Sequence, residues 1–171
     1  MSEFMMPVDE EFAPYDHQLA QLRVPPHSTE AESSVLGGLL LDNQAWDRVG
    51  DLLIESDFYR FEHRLIYAGI AKLVNASKPA DVITVYEHLQ SIGKSEEVGG
   101  LAYLNALAQY VPSASNIRRY AEIVRERAIL RKLVTASDEI ATAAFNTQGR
   151  PVDKILDEAE QKIFNIGEEG S

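Results

Sequence analysis

Apolar positions recur at three- and four-residue spacing through most of the chain, and no segment sustains the period of two that a strand would need. The first clear stripe is Ala31, Val35, Leu36, Leu39 and Leu40. It follows Pro25-Pro26, with Thr29 and Glu32 at the spacing of a capping box. Asp42 is placed to cap a short second helix carrying Trp46, Val49, Leu52 and Leu53. Ile66, Ile70, Leu73 and Val74 mark a third helix, ended by NASKP at 75–79. Thr84 and Glu87 offer another capping box ahead of Val85, Leu89 and Ile92, and Gly99-Gly100 separates that element from LAYLNALAQYV, which stops at Pro112.

The longest helix is predicted from about Ser115 to Asn146, well beyond the usual globular length. Ile117, Ala121, Val124 and Ala128 line one face of its first half. Leu130, Leu133, Ile140, Ala141 and Ala144 line nearly the opposite face of its second half, roughly 160–180° away at 100° per residue. Such a helix should bury its start against one body and its end against another. After NTQGRP, Pro151 suits the first turn of a last helix whose stripe is Val152, Ile155, Leu156, Ala159, Ile163 and Ile166.

The pattern therefore predicts an all-α protein. A compact head of about five short helices over residues 25–112 is followed, over 113–167, by a long helix and a C-terminal antiparallel helical hairpin. A hairpin of two helices has little core of its own. Phe145 and Phe164 lie off its main stripes, which leaves apolar surface for another chain. Residues 1–24, acidic and without helical period, read as a disordered tail, and residues 168–171 as the start of an interdomain linker. Gly37 and Gly38, inside the first helix, together cost roughly 1–2 kcal/mol of helix propensity. Gly38 falls beside Ala31, where a neighbouring helix can come close; Gly37 falls with Ser33 and Ser34 on the outer side.

Composition narrows the function mainly by exclusion. A chain of 171 residues holds one domain, or two small subdomains sharing a core. It has no cysteine, which removes disulfides, thiol nucleophiles and zinc-cysteine sites and is compatible with a reducing compartment. No apolar run is long enough to span a bilayer and no signal-type start is present, so the expectation is a cytoplasmic protein with no membrane role. The net charge of −11 argues against a domain that coats nucleic acid and favours a protein partner.

Candidate chemistry is thin. GKS at 93–95 ends like a nucleotide-binding P-loop, but His88 stands where the motif requires its first glycine, and the preceding segment is helical rather than a strand. His17, His27, His63 and His88 are far apart and show no ligand spacing; G-x-S-x-G does not occur; Asp57 and Asp81 read as caps or turn residues. Arg118, Arg125 and Lys132 are spaced by seven along one side of the long helix, open to an acidic or nucleic-acid partner. The alternative is ordinary helical pairing of Glu122 with Arg118 and Arg125.

Taken together, VPPHSTEAESSVLGGLLLDN, DFYRFEHRLIY, VGGLAYL, VPSASNIRRYAEIVRERAILRKL and DEAEQKIFNI resemble, in this order, the N-terminal domain of bacterial replicative DNA helicases of the DnaB family. The resemblance runs from about Leu22 to Ile166. It implies a parent in which this domain, a linker helix and a RecA-like motor form a hexameric ring that unwinds DNA 5′ to 3′, with ATP and Mg at the motor. This chain ends near where the linker would begin, so it is expected to be no enzyme and to hold no cofactor itself.

The resemblance further implies a collar in which hairpins pair into dimers and three dimers close the ring. A DnaG-type primase docks there through its C-terminal helical domain, a helicase loader is a further partner, and DNA is held mainly by the motor. Candidates for hairpin pairing are Ile155, Leu156, Ala159 and Ile163, although burial against Leu133 and Ile140 within one chain would produce the same stripe. Candidates for the primase contact are Tyr103, Val134 and Ile140. The alternative function is a free-standing helical DNA-binding regulator with a dimerising hairpin, supported by the basic line along the long helix.

Overall fold

The computed structural model describes residues 23–110 and 116–170. Among these residues seven α-helices follow in order: α1 (Thr29–Leu41), α2 (Trp46–Val49), α3 (Phe61–Asn75), α4 (Val82–Ser91), α5 (Gly100–Gln109), α6 (Ile117–Phe145) and α7 (Val152–Gly170), with short 3-10 turns at Asn43–Ala45 and Glu55–Asp57. No strand occurs among the described residues. The architecture is the expected one of short helices, then a long helix and a hairpin; Pro112 and the acidic residues of the first 22 positions lie outside the described residues.

Helix α1 runs through the centre of the head, buried at every position from Ala31 to Leu40. Its composition explains this, because a helix apolar nearly all round has no face suited to water. Helices α3, α5 and α6 pack around it. Gly38 is where α6 comes closest: a Cβ there would lie 2.8 Å from Ile117 Cδ1. Gly37, Ser33 and Ser34 are buried too, so the outer side expected for them does not exist. Gly38→Val should cost about 1–3 kcal/mol by overpacking, while Gly38→Ala, meeting only the movable end of Ile117, should cost less. Equal thermal midpoints for Gly38→Val and the unaltered protein would refute this account of the contact.

Both capping boxes expected from spacing are displaced. Ser28, not Thr29, caps α1, its Oγ accepting from Ala31 N at 3.1 Å, and Glu32 turns into the core instead of back to the cap. Asp81 caps α4, accepting from Thr84 N at 2.9 Å, while Thr84 accepts from Asp81 N at 2.8 Å. In each case the helix begins earlier than the S/T-x-x-E spacing implied, because a better cap residue precedes it. Asp42 does cap as expected, accepting from Gln44 N at 3.0 Å just ahead of α2. The GKS stretch is the end of α4: Gly93 takes a left-handed φ of 72° and Lys94 N donates to Leu89 O at 2.8 Å. That is a helix terminus closing on itself.

Helix α6 runs antiparallel to α1. Ile117, Ala121 and Val124 complete the head core, and Ala128 is buried just beyond them. At the other end of α1, Arg131 Nη1 donates to Pro26 O at 2.7 Å. Beyond that level α6 leaves the head, and α7 folds back along it after a turn in which Gln148 (φ 53°) and Gly149 (φ 78°) are both left-handed. Pro151 directly precedes α7, its carbonyl accepting from Lys154 N and Ile155 N.

Candidate interaction surfaces

The two arms of the hairpin meet through small and charged residues. Helix α6 presents Ala128, Lys132, Thr135, Ala136 and Glu139 to Lys162, Asn165, Ile166 and Glu169 of α7. Lys162 Nζ pairs with Glu139 Oε2 at 3.1 Å, Lys132 with Glu169 and Arg150 with Glu158. The Lys132 ammonium, through its hydrogen bond and its charge, lowers the pKa of the exposed Glu169 carboxyl. Surface pairs of this kind stabilise little and weaken with salt.

Apart from the half-buried Ile166, most of the large apolar side chains turn elsewhere, and no residue of α7 is fully buried. Of the residues proposed for pairing, Leu156 is 57% and Ile163 45% exposed, while Ile155 and Ala159 are half-buried. On α6, Leu130, Leu133 and Val134 are exposed and Ile140 is half-buried. Among the described residues the second half of α6 therefore leaves most of its stripe exposed, and no second body covers it there. The positions that face α7 carry alanine, threonine and charge, which lets the axes approach while the larger side chains are rotated out. At 100° per residue in an antiparallel pair, Leu133 and Ile140 emerge on the same side of the hairpin as Val152, Leu156 and Ile163, whereas Leu130 and Val134 point away from α7. Phe145, 93% exposed at the tip, and the exposed Phe164 lie off that face as expected.

A buried polar centre, not anticipated from the sequence, lies under the head surface. Glu32, 1% exposed, accepts from Tyr59 N at 2.8 Å and Arg60 N at 3.4 Å, and its Oε1 lies 2.7 Å from His63 Nδ1. His63 Nε2 lies 2.6 Å from the Tyr103 hydroxyl, which also bonds Ser33. Burial pushes the Tyr103 phenol up. A glutamate at the start of an otherwise apolar helix, one turn before Leu36, was the available signal, since a buried charge needs partners. Tyr103 also walls an open groove of about 340 Å³ with Thr29, Glu30, Ser33, Ala106, Leu107 and Tyr110.

The head is tied to the root of the hairpin by arginines. Arg125 Nη1 reaches Asp57 Oδ1 at 3.2 Å, and its Nη2 bonds the Glu169 carbonyl. Arg131 Nη2 donates to Asp57 O at 2.6 Å, and its guanidinium lies 5.4 Å from the Tyr59 ring centroid. Burial lowers the Arg131 pKa. Asp57 is a turn residue, accepting from Ile54 N at 2.9 Å, and the anchor for this junction as well. Of the basic line, Arg125 and Lys132 are turned to their own chain and Arg118 is exposed. Arg125 pairs with Asp57, not with Glu122.

The three residues proposed for primase do not form one patch. Tyr103 is bound into the head, whereas Val134, 47% exposed, and Ile140 lie on the projecting half of α6. Matching Ser33 to the level of residue 122 on α6 puts Val134 about 18 Å beyond Tyr103 along the axis, at roughly 1.5 Å per residue. Among the described residues there is no His, Asp and Glu group able to hold a metal, and no helix is long and apolar enough to cross a membrane.

The family model for the DnaB-like helicase N terminal domain matches residues 24–126. The chain belongs to this family. Its relatives include the replicative DNA helicase DnaB of Haemophilus influenzae, 48% identical over 90% of this chain and 33% of that protein. That of Geobacillus stearothermophilus is 38% identical over 88% of this chain and 33% of its own length. The chain thus spans about a third of the length of the curated relatives it matches.

The crystal structure of the N-terminal domain of DnaB helicase from Mycobacterium tuberculosis superimposes with a TM-score of 0.79 at 38% identity, covering 83% of this chain and 99% of that one. A DnaB-like replicative helicase, solved with its interactions with primase, shares the fold at a TM-score of 0.67 and 22% identity, covering 81% of this chain and 31% of that chain. As a DnaB-like N-terminal domain, the chain corresponds to the part of replicative helicases outside the catalytic domain.

Proposed function

We propose that this DnaB-like N-terminal domain is an assembly and docking module of a replicative helicase. Its hairpins pair into dimers, three dimers form a collar, and the collar docks a DnaG-type primase. ATP-driven 5′ to 3′ unwinding, with ATP and Mg, is the work of a motor domain in the parent protein, in the cytoplasm, where a helicase loader is a further partner. One observation carries this reading: the hairpin holds an apolar face, including Leu133, Leu156 and Ile163, that nothing among the described residues covers. A face that recurs identically on a second copy is suited to two-fold pairing.

For primase the surface proposed is the projecting side of α6 at Val134 and Ile140, with Tyr103 as a separate contact at the head groove. The primase interactions described for the solved DnaB-like helicase support a partner of this kind. Val134→Asp is expected to weaken binding of the primase C-terminal domain about tenfold or more, in keeping with loss of an apolar anchor. Unchanged binding by a folded variant would remove Val134 from the surface.

The test of the whole reading is solution mass across a concentration series, with and without the primase C-terminal domain. Dimers or larger rings that take up primase are expected. A monomer at all concentrations that ignores primase would overturn both parts, and tight, strongly salt-dependent DNA binding by this chain alone would favour the regulator instead.

A further inference from the structure

We infer that the buried Glu32–His63 pair couples the Tyr103 groove of the head to the cleft at the root of the hairpin: drawing the Tyr103 hydroxyl toward a ligand in the groove loosens residues 57–60 and the arginine clasp they seat. The coupling depends neither on hairpin pairing nor on which ligand the groove takes. The two concavities share no lining residue. The groove is walled by α1 and α5, and the root cleft, of about 510 Å³, by Ser56, Arg131 and the two arms of the hairpin. A continuous series of hydrogen bonds joins them. The Tyr103 hydroxyl bonds Ser33 and lies 2.6 Å from His63 Nε2; His63 Nδ1 lies 2.7 Å from Glu32 Oε1; Glu32 Oε2 accepts from Tyr59 N at 2.8 Å. Just before Tyr59 in the chain, Asp57 holds Arg131 on its carbonyl and Arg125 on its carboxylate.

Such a series transmits a displacement only where no link can yield by itself. The imidazole is a rigid ring with a partner on each nitrogen, so it cannot follow Tyr103 without changing its distance to Glu32, whichever nitrogen carries the proton. Glu32 and His63 are both buried, so water does not replace a lost partner and the loss passes to the next group. Among the described residues no buried side-chain nitrogen or oxygen lacks a partner, so a group released from the series finds none waiting. At the far end the connection is short. The Tyr59 ring is stacked on His27, 4.2 Å between centroids, and the Arg131 guanidinium lies 5.4 Å from its centroid. A shift of Tyr59 therefore reaches Arg131 twice, through the ring and through the Asp57 carbonyl.

Amide NMR on the whole chain tests the coupling in both directions. Tyr103→Phe removes the hydroxyl and keeps the ring. It should speed hydrogen exchange at the Tyr59 and Arg60 amides about threefold or more and shift the Nε–H signals of Arg125 and Arg131, with the amides of α4 unchanged. Val85→Ala, a core truncation in α4 outside the series, should leave those arginine signals in place, which separates the coupling from a general loss of stability. Coupling between two sites is reciprocal, so Arg125→Met should in turn shift the Tyr103 ring signals. In the double variant the unfolding equilibrium constant should depart about threefold or more from the product of the two single effects, whereas independent sites stay within about twofold. Changes in Tyr103→Phe confined to Ser33, His63 and α5 would overturn the coupling, and so would single effects that multiply within about twofold.

Discussion

Glu32→Ala is expected to destabilise the head by about 3–5 kcal/mol, as removing one partner of a buried pair does. The substitution removes the acceptor for Tyr59 N and Arg60 N and leaves His63 Nδ1 facing an empty space in the core. A small domain has only about 5–15 kcal/mol of stability in total, so much of the margin would go. Glu32→Gln keeps one carbonyl oxygen for the backbone amides, and His63 can exchange the roles of its two ring nitrogens. It should therefore cost less, about 1–2 kcal/mol.

Urea unfolding followed by the single tryptophan reads the effect directly, since Trp46 is stacked on Tyr67 in the head at 5.4 Å between centroids. Glu30→Ala, at an exposed neighbouring position, is the control and should be nearly neutral. If Glu32→Ala unfolded within about 0.5 kcal/mol of the unaltered chain, a range typical of surface changes, the network would have no structural weight.

Leu156→Asp is expected to raise the dimer dissociation constant about 100-fold or more. Losing a buried leucine forfeits about 1.5–3 kcal/mol, and a carboxylate in its place must be stripped of water as well. Each 1.4 kcal/mol is about tenfold in affinity. Because Leu156 is exposed in the single chain, the head should melt where it did before. Phe164→Ser makes the comparison sharp: it removes a larger exposed apolar side chain lying about 100° around α7 from the centre of the stripe, at 100° per residue. It should change dimer affinity by less than about threefold, as contacts outside a central cluster do. Sedimentation equilibrium on both variants decides the matter, and strong association by Leu156→Asp would mean that the hairpin face is not the interface.

Much of the fold was legible because its signals are local. The positions that bound helices, Asn75 and Gly93 at the ends of α3 and α4 and Gly99 ahead of α5, are local in this sense, and so is the long two-faced helix, whose first stripe enters the head core at Ile117, Ala121 and Val124. The caps were less legible. Ser28 and Thr29 both satisfy the chemistry of a cap, and which one serves depends on where the chain leaves Pro26. The second stripe of α6 was legible as a stripe, but its destination was not, because periodicity says which residues share a face and nothing about what covers it. The same limit applies to Arg125 and Lys132, whose spacing marked a basic line and whose actual partners, Asp57 and Glu169, lie far away in sequence.

From the sequence alone came the helical class, the order of elements, the narrow room for catalysis and the resemblance that the family match bears out. Those follow from composition, from the 3.6-residue period and from motifs read along the chain. The tertiary structure decided which charges go inside and which apolar residues stay out. Glu32 and His63 are buried because helices α1 and α3 pack their polar positions against each other, where a hydrogen bond replaces water. Leu156 and Ile163 remain exposed because the axes of α6 and α7 close through alanines and ion pairs on another side. Both outcomes depend on the rotation of one packed helix relative to its neighbour, a quantity that no single helix carries in its own sequence.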